Sequence, residues 1–93
     1  MDKLNAMRAF AKVAESGNFS SAARLLGRSK AVVSKQIAML EASLGVQLLV
    51  RTTRQVRLTE VGRRYQERCA QVLAELDDLE SNVQQSQASP RGV

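Results

Sequence analysis

Seven cations and one carboxylate lie between Ser16 and Arg57: Arg24, Arg28, Lys30, Lys35, Arg51, Arg54 and Arg57 against Glu41. So biased a stretch is suited to holding a polyanion, because Lys and Arg replace the counterions of phosphates and donate to their oxygens. Several of these cations are interleaved with hydroxyls and small side chains, as in Ser29-Lys30-Ala31, Ser34-Lys35 and Arg51-Thr52-Thr53-Arg54. Lys reaches guanine acceptors or phosphate, Ser bonds either, and Ala or Val methyls touch the methyl of thymine. Other chemistries lack their parts. The chain has no His and one cysteine, Cys69, which removes His-based acid–base catalysis, a Ser-His-Asp triad and a His/Cys metal site. Glu41, Glu60 and Glu67 stand on separate stretches with no motif around them, so no catalytic residue, metal ligand or cofactor is expected. The chain does not read as an enzyme.

The rest of the charge is distributed differently. Over 93 residues the chain has 14 Lys and Arg against 9 Asp and Glu, a net charge of +5. From Leu58 onward four Arg face six acidic residues, so a basic middle adjoins an acidic tail. That is the electrostatic footprint of a polyanion-binding module with a separate segment behind it, although a solvated surface with uneven charge would look alike. The length allows one domain and an appended helix. No run of 18 apolar residues and no charged-then-apolar leader is present, so neither a membrane span nor a signal peptide is expected. A lone cysteine cannot form an internal disulfide and fits a reducing compartment, hence a cytoplasmic location.

The elements that position the cations follow from periodicity. Asp2 caps a first helix from about Lys3 to Glu15, with Leu4, Met7, Ala11 and Ala14 as its apolar stripe and Phe10 and Val13 widening it. Gly17-Asn18 ends it. Ser20 then caps a short helix through about Leu26, Gly27-Arg28 makes a tight turn, and Ser29 caps a third helix to Leu44, with Gly45 behind it. Two short helices joined by a Gly-bearing turn, the second opening with polar side chains, are the pattern of a helix-turn-helix.

On the third helix, at about 100° per residue, Val33, Ile37, Leu40 and Leu44 fall within roughly 60° and form the core face. Lys30, Ala31, Ser34, Lys35 and Ala38 fall on a neighbouring arc of roughly 140°. That arc is short, cationic or hydroxylic, and free of carboxylates, which suits a major groove. An ordinary wet face would mix Glu with Lys. A basic module for an acidic protein or a membrane surface would instead carry bulky apolar residues there.

The period then changes. Leu48-Leu49-Val50-Arg51 and Val56-Arg57-Leu58 read as two strands, with Leu48, Val50, Val56 and Leu58 on one face and Thr52-Thr53-Arg54-Gln55 as the loop. A hairpin after such a helix is a wing, and its Arg-bearing tip suits the negative potential of a minor groove. Thr59 caps the last helix, to about Gln85. Along it Tyr65, Cys69, Val72, Leu76, Leu79 and Val83 recur at 4, 3, 4, 3 and 4, the period of a coiled-coil seam. A helix of roughly 39 Å outruns so small a domain, so the seam predicts a homodimer. On that seam Cys69 reads as a small hydrophobe rather than a redox sensor. Ser20 and Ser21 open the motif's first helix, where either a phosphate or a cap would use them. The expected division is a winged helix-turn-helix domain over 1–58, a dimerisation helix over 59–86 and a hinge remnant over 87–93. The fold class is mainly α, with three helices and a two-stranded β wing before the long helix.

The segments F-A-K-V-A-E-S-G-N-F-S-S-A-A-R-L-L, S-K-A-V-V-S-K-Q-I-A-M-L-E-A-S-L-G-V-Q-L-L and R-T-T-R-Q-V-R-L-T-E-V-G together cover most of the chain. In their order and spacing they resemble the N-terminal DNA-binding region of LysR-type transcriptional regulators. The resemblance implies sequence-specific binding to a pseudo-palindromic operator in double-stranded DNA, by two subunits paired antiparallel through the linker helix. A tetramer in the full-length protein is left open. In the family an effector-binding domain follows, so this chain reads as a fragment without it; a small-molecule effector would act only through that domain. Carried over residue by residue, Lys30, Ala31, Ser34 and Lys35 take the base- and phosphate-contacting places of the recognition helix, and Arg51 and Arg54 those of the wing. With their neighbours Ser20, Ser21, Arg28, Ser29, Val32 and Thr52 they make up the expected DNA-binding set. Lys30-Ala31 stands where the family often has Gln-Pro, and Thr53 and Gln55 stand where its wing commonly carries Gly.

Overall fold

The computed structural model describes residues 2–52 and 55–88. Its elements are α1 (Lys3–Ser16), α2 (Phe19–Leu26), α3 (Lys30–Leu44), β1 (Leu49–Arg51), β2 (Val56–Leu58) and α4 (Glu60–Ala88). Local chemistry accounts for most boundaries. Asp2 accepts from the Asn5 amide at 3.1 Å and Ser29 from the Val32 amide at 3.1 Å, each satisfying a donor that the first turn leaves unpaired. Thr59 does the same for α4 through the Gly62 amide at 2.8 Å. The cap of α2 is Asn18, not Ser20: its side chain accepts from the Ser21 amide at 2.7 Å, and the helix begins one residue before the expected cap. Both are cap-forming types, and Asn18 comes first as the chain leaves α1. Gly27, at φ 69°, allows the left-handed turn between α2 and α3 that a side chain would strain.

The core forms where α1, α2 and α3 meet. Ala6, Ala9, Phe10 and Val13 come from α1, Phe19, Ala22 and Ala23 from α2, and Val33, Ile37 and Leu40 from α3, closed by Leu48 and Leu49. The α1 stripe is therefore rotated from the expected one. Leu4 is exposed in the first turn, while Ala6 and Ala9 are fully buried, because small side chains let the other helices approach closely. Leu44, expected in the core, is exposed in the last turn of α3.

The wing is an antiparallel pair with Leu49 opposite Leu58, Val50 opposite Arg57 and Arg51 opposite Val56. Cross-strand partners share a face, so Leu49, not Val50, joins Leu58 over the core, and Val50 points outward. The expected alternation is displaced by one because Leu48 lies outside the ladder. Its amide donates to Glu41 Oε2 at 2.7 Å, and the Leu49 amide reaches the same oxygen at 3.1 Å. The Leu48 carbonyl accepts from the Thr59 amide at 3.0 Å, and Gly62 lies so close to it that a Cβ there would collide with backbone. Leu48 thus joins the end of α3 to the start of α4.

Candidate nucleic-acid interface

The exposed face of α3 is built as its angular pattern requires. Val33, Ile37 and Leu40 are fully buried, which turns Lys30, Ala31, Lys35 and Ala38 to solvent with Ser34 half-buried at the edge. Glu41, the one carboxylate of the basic stretch, accepts the Leu48 and Leu49 amides instead of facing outward among the cations. The exposed face of α3 therefore carries positive charge and hydroxyl, with Glu41 engaged by the Leu48 and Leu49 amides.

Arg51 ties the wing to the motif. Its Nη1 donates to Ser34 Oγ at 2.9 Å, and the guanidinium carbon lies 4.6 Å from the centroid of the buried Phe19 ring. One side chain from β1 thus reaches α3 through a hydrogen bond and α2 through a cation–π contact. Beside it, Ser20, Lys30 and Thr52 line one hollow of about 360 Å³, with Phe19, Gln55 and Val56 on its walls. The loop base is closed by the Thr52 amide and hydroxyl, each donating to the Gln55 carbonyl at 2.9 Å. Arg54 and Thr53, at the expected wing tip, lie outside the described residues.

Other members of the expected set have structural work. The Arg28 guanidinium donates to Gln36 Oε1 at 2.9 Å, Asn5 Oδ1 at 3.2 Å and the Asn5 carbonyl at 3.4 Å, clamping α1 to α3. Arg28 thus serves as a clamp within the fold. Ser29 caps α3, and the Ser21 amide is held by Asn18. Val32 is exposed and stands about 60° from Lys35 around α3, at the edge of the Lys30–Lys35 arc. Asn5, Gln36, Asn18 and Glu41 were absent from the expected set. None of their partnerships has a signal in local spacing except the cap-forming type of Asn18.

The expected seam on α4 divides in two. Tyr65 packs edge-on against Phe10 at 5.5 Å, and Cys69 is 2% exposed, its Sγ 3.8 Å from the Met7 carbonyl. Leu73, four residues on and 8% exposed, continues this inner stripe in place of Val72. Tyr65 and Cys69 thus face α1 of their own chain and are corrected from the dimer seam. A spacing of four from Cys69, which the heptad reading passed over, would have found Leu73. Val72, Leu79 and Val83 are 41%, 60% and 57% exposed, with Leu76 half-buried between the two faces. Arg8 pairs with Asp77 at 3.2 Å alongside. Burial pushes the Cys69 thiol above its ordinary range, and desolvation, then the neighbouring Cys69, raises the Tyr65 phenol.

Among the described residues no cluster of His, Cys, Asp and Glu could hold a metal ion, and no helix is long and apolar enough to cross a membrane. Residues 4–63 match the family model for bacterial regulatory helix-turn-helix proteins of the lysR family. An HTH-type transcriptional repressor of Pseudomonas aeruginosa is 46% identical over 92 residues, covering 99% of this chain and 29% of the relative. The chain thus spans under a third of the length of that curated relative. Among solved structures, a complex of the BenM DNA-binding domain with catB site 1 DNA superposes with a TM-score of 0.85 at 33% identity. It covers 91% of this chain and 93% of that one. A CbnR DNA-binding domain bound to DNA gives 0.81 at 34% identity, over 95% and 99% of the two chains.

Proposed function

Because the chain belongs to the LysR family of bacterial regulatory helix-turn-helix proteins, we propose that it binds double-stranded DNA sequence-specifically, as a dimer, to regulate transcription. The observation that carries this reading is the carboxylate-free face of α3, with Lys30, Ala31 and Lys35 exposed beside Ser34. Such a face enters the major groove with its N-terminal turns foremost, Lys30 and Lys35 reaching phosphate or guanine acceptors and Ala31 meeting a methyl. The hollow of Ser20, Lys30 and Thr52 suits a backbone phosphate, and Arg54 on the wing suits the minor groove. Residues 1–58 form the DNA-reading unit, and α4 pairs with a second copy through Val72, Leu79 and Val83, with Leu76 at its border. No cofactor is required for binding, and the site of action is the cytoplasm, on the chromosome.

Selection from a random duplex pool at roughly 150 mM salt, where phosphate contacts alone weaken, tests the reading. The expected result is an enriched pseudo-palindrome whose half-site spacing reports the dimer geometry. Retention of DNA with no enriched sequence would replace specific readout by non-specific coating.

A further inference from the structure

Ser34 differs from two other helical serines, Ser16 and Ser43, in what its proton can do. Within a helix a serine hydroxyl commonly donates to a carbonyl of the preceding turn. Ser16 does so to Lys12 at 2.6 Å and Ser43 to Leu40 at 3.0 Å. At Ser34 the hydroxyl oxygen accepts from Arg51 Nη1 at 2.9 Å, and among the described residues it donates to no acceptor. The direction of that bond is forced, since a guanidinium has donors and no lone pair to offer. The proton of Ser34, with no acceptor among the described residues, is left for an outside acceptor on the helix face shared with Lys30, Ala31 and Lys35. The adjacent positive charge also polarises the O–H bond and strengthens its donation. Arg51 is in turn fixed against the Phe19 ring at 4.6 Å, so the arrangement has anchors on both helices of the motif.

We propose that Arg51, by occupying one of the two lone pairs of Ser34, biases it toward hydrogen-bond donation in the major groove, so that this hydroxyl selects a base acceptor over a cytosine amino group. An unconstrained serine accepts or donates with either edge and distinguishes little. Held by Arg51, it favours purine N7, guanine O6 or thymine O4 over cytosine N4. Arg51 is then a positioning residue that acts through Ser34. The inference rests on α3 occupying the major groove.

The test is equilibrium binding of the 93-residue chain to its selected duplex and to every single-base-pair variant of it, at roughly 150 mM salt. Four variants are compared with wild type: Ser34→Ala, Arg51→Met, Arg51→Lys and the Ser34→Ala/Arg51→Met double. Met keeps an apolar stem over Phe19 without a donor, and circular dichroism checks that each variant is folded. At one base pair the wild type is expected to discriminate against cytosine by about threefold to tenfold, the range of one net hydrogen bond. Ser34→Ala and Arg51→Met should flatten the preference at that same pair, the double variant should go no further, and Arg51→Lys, which keeps a donor, should retain much of it. If Arg51→Met weakened every duplex equally and left the preference intact, Arg51 would be a general contact and the inference would fall. Ser34→Ala that leaves every position unchanged would overturn it too, while wild-type selectivity kept the DNA-binding reading intact. Loss of selectivity in the wild type itself would instead overturn that reading, and the inference with it.

Discussion

At the scale of single residues, several polar groups join separate segments of the fold. Arg28 links α1 to α3, Glu41 holds the Leu48 and Leu49 amides, and Arg51 bridges the wing to both helices of the motif. These partnerships were illegible in the sequence because nothing in local spacing says which residue of another segment will arrive. Cys69 shows the complementary case, where type and pattern gave the right burial but the wrong neighbour. Its thiol is buried against α1 and its ionisation is pushed up, so the folded state keeps a proton that the unfolded state releases from about pH 8.5. The folded chain then binds more protons than the unfolded one, and stability falls as pH rises through that range. Tyr65, raised in the same direction, adds to the decline at higher pH. Denaturant midpoints between pH 7.5 and 9.5 should fall more steeply for wild type than for Cys69→Ala. Parallel curves would show that the thiol carries none of the effect.

Among the elements, the junction at Leu48 gives the sharpest stability prediction. Glycine to alanine in an exposed helix interior stabilises by roughly 1 kcal/mol. At Gly62 the added methyl would meet the Leu48 backbone, which is itself bonded to Glu41 and Thr59 and cannot yield cheaply. Gly62→Ala is therefore expected to destabilise, by about 1–3 kcal/mol, and to lower Tm in a thermal melt by roughly 4 °C or more. A rise in Tm would mean that helix propensity had won and the crossing is loose. Element types and most caps were legible: Asp2, Ser29 and Thr59 cap helices as their chemistry dictates, and the buried face of α3 follows its angular pattern through Leu40. The rotation of α1 and the displacement of the wing face were not, because both are set by how closely neighbouring segments approach. Ala6 and Ala9 owe their burial to being small enough for α2 and α3 to come near, which an apolar stripe of larger residues does not announce.

For the whole molecule, extents of 56 × 24 × 22 Å show α4 projecting well past the three-helix core. Tyr65, Cys69 and Leu73 attach its first half to α1, and the second half offers Leu79 and Val83 to solvent. Replacing Leu79 and Val83 by Lys should shift the chain to a monomer in sedimentation while leaving the melting of the core nearly unchanged. Unchanged sedimentation, with the wild type dimeric, would place the pairing surface elsewhere. The Leu48 crossing has a consequence for such a pair. The amide side of Leu48 is held by α3 and its carbonyl side by the start of α4, so no free joint separates the two. A turn of one degree there swings the far end of a 29-residue helix by roughly 0.8 Å. Two copies clamped end to end would behave as a caliper whose jaws are the two α3 helices. The jaw separation would then be an intrinsic length of the protein, against which the DNA must be bent or twisted to fit.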